Sequence, residues 1–214
     1  MPDRPDDTVI EPGLMARGLG FSRGGRPVFS GIDFALGPGE LLQVTGANGS
    51  GKTSLLRVLS GLLPPAEGEL RWRDRPVRAG ESGYLQSVAY VGHTDGIDPD
   101  LSAIENLQFA MRVAGGTPTT PQVESALASF GMVPAMHVPV RTLSQGQRRR
   151  VALARLALLP RTLWLLDEPL TSLDERAGEC FDAHLDAHLR AGGIAIIATH
   201  QPLAAEGRTL RLDG

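Results

Sequence analysis

Gly46-Ala47-Asn48-Gly49-Ser50-Gly51-Lys52-Thr53 has the spacing G-x-x-x-x-G-K-[ST], and those residue types can cradle a polyphosphate. Glycines let the backbone turn its N–H groups toward an anion, and the positive end of a following helix adds to the attraction. On that reading Gly46 to Ser54 form a phosphate-binding loop. Lys52 reaches the terminal phosphates, and the Thr53 hydroxyl is a ligand for Mg²⁺. A glycine-rich turn with no ligand is the plain alternative. The flanks decide between them. Leu41 to Thr45 reads as a buried strand entering the loop, and Lys52 to Leu59 as a helix leaving it, ended by Gly61 and Pro64-Pro65.

Leu163-Trp164-Leu165-Leu166-Asp167-Glu168 supplies the matching carboxylates. Four apolar residues make a central strand, and acidic side chains emerge at its carboxyl end, where α/β folds bind ligands. Asp167 would hold the Mg²⁺ shell, and Glu168 would position or activate an attacking water. Alone, an acidic pair after a strand is more often a solvated loop or a helix cap. Beside a phosphate cradle it reads as the hydrolytic half of a nucleotide site. A third segment, Leu143-Ser144-Gln145-Gly146-Gln147, puts a capping serine and a small residue at a helix start, which could present free amides to a second phosphate. An ordinary N-cap is the alternative reading there.

The elements needed to position these residues are legible as well. From Leu14 to Phe34 apolar runs broken by Arg23-Gly24-Gly25-Arg26-Pro27 predict antiparallel strands, followed by a turn at Pro38-Gly39. Glu69 to Trp72, Val88 to Val91, Thr162 to Leu166 and Ile194 to Ala198 are further predicted strands. The chain changes character in between. Ser102-Ala103-Ile104-Glu105 has the form of a capping box, and Ile104, Leu107 and Met111 then recur at helical spacing. A second helix is expected over Pro121 to Phe130 and a third from near Ser144. One more, with Ala177, Phe181, Leu185 and Leu189 on its apolar face, separates the last two strands. The fold expected is α/β, with an N-terminal antiparallel β subdomain and a helical subdomain, about 100–159, inserted in the core. Residues 1–12 read as a flexible tail, and 13–214 as a single domain.

Composition narrows the setting. A formal charge of −3 gives no general attraction to nucleic acid or to an acidic membrane surface. Cys180 is the only cysteine, so no disulfide can form within the chain and no cysteine-based zinc site. No apolar run approaches the roughly 20 residues that span a bilayer. Asp3, Arg4, Asp6 and Asp7 stand where a signal peptide would be apolar. The expectation is a protein that stays where it is made and relies on other subunits for any membrane.

With the cradle, the carboxylates and Leu143 to Gln147 just upstream of them, the chain from Leu14 onward resembles the ATP-binding subunits of ABC transporters. The resemblance implies a P-loop ATPase core binding ATP and Mg²⁺, and a homodimer closed head to tail around two nucleotides. Ser144, Gly146 and Gln147 of the signature motif would then cover the γ-phosphate held by the other subunit. It further implies that Ser172-Leu173-Asp174 is the D-loop and that His200 is the switch histidine, catalytic with Glu168 and Lys52. Two positions depart from the family pattern. His93, in Tyr90-Val91-Gly92-His93, stands where most members carry a metal-sensing glutamine. Arg23, with Phe21 nearby, stands near the expected adenine-stacking aromatic; a guanidinium can also stack on a flat ring.

The wording around these motifs is most similar to the ATP-binding subunit of the bacterial haem exporter of cytochrome c maturation. Tyr90 to Asp98, Leu101 to Leu107, Ser144 to Leu156 and Thr199-His200-Gln201-Pro202-Leu203 carry that likeness. It implies integral membrane permease partners, a peripheral position on the cytoplasmic face of the bacterial inner membrane, and no nucleic-acid partner. The work driven would be haem export or release of a haem-loaded chaperone. An ABC transporter for another substrate is the alternative. A soluble ABC protein acting on DNA or ribosomes lacks the long insertion or the fused second ATPase expected of it, and a P-loop kinase or GTPase has no use for the signature segment. The remaining features read as structural. Arg148-Arg149-Arg150 is taken as a solvated face or subunit contact, His184 and His188 as an exposed helix face, and Cys180 as core.

Overall fold

The computed structural model describes residues 13–213; the expected tail, 1–12, lies outside the described residues. Two sheets organise the chain. Strands β1 (Leu14–Arg23) and β2 (Arg26–Leu36) form the predicted hairpin. β1 also pairs antiparallel with β4 (Glu67–Trp72), which carries the two-residue β5 (Arg75–Pro76), so this sheet runs β2-β1-β4-β5. The second sheet is parallel throughout, in the order β6-β7-β8-β3-β9. Its strands are β3 (Leu41–Gly46), β6 (Val88–Val91), β7 (Leu163–Asp167), β8 (Ile194–Ala198) and β9 (Arg208–Leu212). The helices are α1 (Lys52–Leu59), the single-turn α2 (Ser82–Leu85), α3 (Ala103–Val113), α4 (Thr120–Ser129), α5 (Gln145–Leu158) and α6 (Glu175–Arg190).

The apolar runs of β7 and β8 follow from burial of these central strands on both faces. Along β7, Leu163 and Leu165 join the core shared with α1 and the antiparallel sheet. Trp164 and Leu166 point the other way, into the core shared with α3, α4 and α5. Strand β8 alternates likewise, with Ile194, Ile196 and Ala198 on one side and Ala195 and Ile197 on the other. Two faces therefore glue the antiparallel sheet and the helical insertion to one central sheet.

The starts of α3, α4 and α5 carry side-chain caps. Ser102 Oγ accepts from the Glu105 amide while the Glu105 carboxylate accepts from the Ser102 amide, the reciprocal cap expected from sequence. The Ser102 hydroxyl, donating to the Glu105 carboxylate at 2.6 Å, and the Ser102 amide hold that carboxyl below its ordinary pKa. Ser144 and Gln147 make the same box at α5, and Thr119 with Gln122 at α4. Each such cap contributes about 1 kcal/mol.

The two histidines of α6 correct a sequence expectation. Neither is on an exposed face. The His184 ring stacks on Phe130 at 4.6 Å and its Nε2 lies 3.0 Å from Ser129 Oγ. The His188 ring stacks on Trp164 at 3.9 Å, with Nε2 3.2 Å from the Ile194 carbonyl oxygen. Burial lowers the pKa of both, as it should where a charged imidazolium would lose water. The pair packs α6 against the core, and no group of three or more metal-ligating side chains occurs among the described residues. Cys180 is half-buried and free, at the margin of the core rather than in it.

Candidate active site

Strand order brings the chemistry together. The cradle follows β3 and the carboxylates end β7, with β8 between them, so both emerge at the carboxyl edge of one parallel sheet. The meeting is direct: the Thr53 hydroxyl donates to Asp167 Oδ2 at 2.7 Å. Residues 114 apart in sequence thereby share one polar centre, and Asp167, 2% exposed, has its carboxylate fixed by the hydroxyl that starts α1.

Around that centre is a cleft of about 470 Å³ lined by Asn48, Gly49, Gly51, Lys52, Thr53 and Ser54 on one side and by His93, Asp167 and Glu168 on the other. Lys52 is buried, and its ammonium donates to the Gly46 and Ala47 carbonyl oxygens at 2.8 and 3.1 Å, bracing the loop that carries it. Ala47 is exposed. Ser50 is buried, with its hydroxyl unpaired among the described residues. Gly51 is required twice over. Its φ is +98°, and a Cβ there would stand 2.8 Å from Val28 Cγ1, where the β1–β2 hairpin leans on the loop. Through this contact the hairpin tip, with Arg23 and Val28, walls the outer end of the cleft, where a base attached to cradled phosphates would lie. Arg57 completes the lining; nothing in its sequence context marked it, since it is the one exposed residue between buried leucines of α1.

Glu168 takes a left-handed backbone, φ +50°, at a cost of about 1–2 kcal/mol for a residue with a Cβ. Its amide donates to the Ala198 carbonyl oxygen at 2.8 Å, and His200 Nε2 lies 3.6 Å from Glu168 Oε1. The fold thus brings Glu168 and His200 near each other, just past the ends of adjacent strands. Thr199, fully buried before His200, anchors the segment through its amide to the Val44 carbonyl oxygen.

Ser144, Gly146 and Gln147 do not line this cleft. Ser144 is exposed at the N-terminus of α5, and Gly146 packs against the segment named as the D-loop so closely that a Cβ would sit 2.4 Å from the Ser172 carbonyl oxygen. Asp174 caps α6 through the Ala177 amide and pairs with Arg150 at 2.8 Å.

Within the arginine run, expected from sequence to be a solvated face or subunit contact, Arg149 is neither solvated nor at the surface. Arg149 is 4% exposed, and its guanidinium reaches the backbone at the end of β7. The sequence signal that could have found it is weak: Arg149 sits five residues after the capping serine, and its partners come from other segments.

The ABC transporter family model matches residues 29–171, well over half of the chain. The cytochrome c biogenesis ATP-binding export protein CcmA of Cupriavidus necator is 68% identical, with 100% of this chain and 95% of that protein covered. Among solved structures, an ABC transporter ATP-binding protein from Pyrococcus furiosus is 25% identical, with a TM-score of 0.82 over 93% of this chain and 96% of that one. A dimeric ATP-binding cassette, solved in a post-hydrolysis state with ADP and Pi, has a TM-score of 0.77 at 22% identity over 88% of each chain and shares the fold. By family match and by full-length relative alike, the chain belongs to the ABC transporter family, among the ATP-binding export proteins of cytochrome c biogenesis.

Proposed function

We propose that this chain is the ATP-hydrolysing subunit of a membrane complex for c-type cytochrome biogenesis, driving haem export or release of a haem-loaded chaperone. The observation that carries this reading is the similarity to the Cupriavidus necator protein across the whole chain, with the phosphate loop, Asp167 and Glu168 lining one cleft. In this reading Gly46 to Ser54 bind the ATP phosphates. Lys52 neutralises charge on the outer two, and Glu168, with His200 3.6 Å away, orients the attacking water. Mg²⁺ fits the donor set: a hydroxyl and one carboxylate leave the rest of the shell to phosphate and water, the usual way this ion is bound. Thr53 and Asp167 would hold it, and it would neutralise charge building on the phosphates. An imidazole is a poor direct ligand for so hard an ion, so His93 would reach it through a water.

Two further parts of the reading concern assembly. The exposed Ser144 and the N-terminus of α5 would complete the nucleotide site of a second copy, head to tail, giving a homodimer with two ATP molecules between its subunits. No helix among the described residues is long and apolar enough to cross a membrane. Integral permease subunits would supply the membrane, with this chain on its cytoplasmic face. Their docking surface is the groove beside edge strand β6, lined by Val88, Tyr90, Ile97 and Asn106, where Phe109 and Val113 of α3 are 60% and 72% exposed. The His93 to Asp100 loop joins that groove to the cleft. Tagged protein purified from detergent-solubilised membranes is expected to bring down integral membrane subunits. Phe109→Glu with Val113→Glu should release them without altering ATP affinity. Recovery of ribosomes or DNA instead would point to a soluble ABC protein.

A further inference from the structure

Strand β6 ends at Val91, opposite Leu166 of β7, and the pairing of the two strands stops there. The Arg149 guanidinium takes over. Its Nε donates to the Pro169 carbonyl oxygen at 3.3 Å, and Nη2 donates to those of Asp167 and Glu168 at 2.6 and 2.8 Å. Nη1 turns to the other side, donating to the Gly92 carbonyl oxygen at 2.8 Å and to Asp95 Oδ1 at 3.1 Å. All five N–H groups of the guanidinium are thereby used, the full number the side chain has. Three successive carbonyls around Glu168 point at one cation, and the segment holding His93 is gripped on both sides, at Gly92 and at Asp95. Arg155, on the same helix, fastens that segment again through the Asp95 and Gly96 carbonyl oxygens.

The backbone of Glu168 is left-handed. Its amide is tied to the Ala198 carbonyl oxygen, and its own carbonyl oxygen accepts from the Thr171 amide at 3.2 Å and, more closely, from Arg149 at 2.8 Å. We propose that Arg149 is a positioning residue for hydrolysis: it fixes the Glu168 backbone, and so the carboxylate, and yokes it to the His93 segment and to helix α5. It is absent from the lining of the phosphate cleft. Movement of α5 when a second subunit closes on Ser144, or of the His93 segment when a partner docks beside it, would reach Glu168 through one rigid planar group. The inference rests on Glu168 being the residue that orients water. Lysine cannot substitute, because three donors on a flexible stem cannot serve five acceptors.

The test is steady-state ATPase kinetics of the full-length chain carrying Arg149→Lys, Arg149→Gln, Glu168→Gln, or Arg149→Lys with Glu168→Gln. Melting temperature and affinity for a non-hydrolysable ATP analogue are measured in parallel. Arg149→Lys, which keeps the buried charge and so the fold, is expected to lower kcat at least tenfold. Analogue affinity should change by less than threefold, and Arg149→Gln should be slower still. Because Arg149 acts through Glu168, adding Arg149→Lys to Glu168→Gln should slow the residual turnover by less than threefold. Wild-type kcat in Arg149→Lys overturns the proposal, as does a fall in affinity matching the fall in kcat, or losses that multiply in the double variant. The Glu168→Gln protein separates the two assignments. If it hydrolyses ATP at the wild-type rate, the Glu168 reading fails and the step assigned to Arg149 fails with it. If it is inactive while Arg149→Lys is normal, only the Arg149 proposal fails.

Discussion

Glu168→Gln is expected to keep ATP binding nearly unchanged while turnover falls by at least about a hundredfold, the scale associated with losing a positioned general base. The cradle from Gly46 to Ser54 does not include this side chain, and the Thr53–Asp167 contact does not depend on it. The amide is close in size to the carboxylate and can keep contact with His200, but it cannot accept a proton from water. Binding without hydrolysis should also trap the ATP-bound dimer, which size-exclusion chromatography with ATP present would resolve from monomer. Wild-type turnover in the purified variant would remove Glu168 from the mechanism.

Ser144→Ala should give a different pattern. The hydroxyl caps its own helix and, on the head-to-tail reading, faces the nucleotide of a second copy. The monomer should bind one ATP with near-normal affinity, while hydrolysis and ATP-driven dimerisation fall together by on the order of ten- to a hundredfold. That range corresponds to one hydrogen bond to a charged group, about 1.5–3 kcal/mol. Loss of the cap, about 1 kcal/mol, should appear separately as a lower melting temperature without ATP. If monomer affinity drops as sharply as in Lys52→Ala, Ser144 is acting within its own chain.

How much of this was legible in the sequence depended on how far apart the partners lie. The phosphate loop is contiguous, so its glycines, lysine and hydroxyl announce themselves at fixed offsets. The capping boxes at Ser102 and Ser144 are equally local, each closed by a side chain three residues on. The central strands β7 and β8 read correctly because burial on both faces leaves apolar runs. Strand β9 did not. Lying at the sheet edge, Arg208 to Leu212 keeps two exposed arginines and shows an alternation too short to stand out. Arg149 was misread for a deeper reason. Its five acceptors come from segments 18 to 57 residues away, and a run of three arginines on a helix looks solvated unless those segments are already in place. His184 and His188 failed likewise: the rings that bury them, Phe130 and Trp164, belong to other parts of the chain. Contacts within a turn of helix or a loop are written in sequence order, whereas contacts that define the hydrolytic centre are written in topology.

The central claim, that ATP hydrolysis by this chain drives maturation of c-type cytochromes, is tested most directly by complementation. A strain lacking the subunit and any second copy is supplied with wild-type protein or with Lys52→Ala, and its periplasmic and membrane c-type cytochromes are stained for haem. Wild-type protein should restore the stained bands. Lys52→Ala, which removes the ammonium bracing the cradle at Gly46 and Ala47, should leave them absent while cellular haem is unchanged and the membrane complex stays assembled. Normal cytochrome c in the deletion strain, or full restoration by Lys52→Ala, would contradict the account.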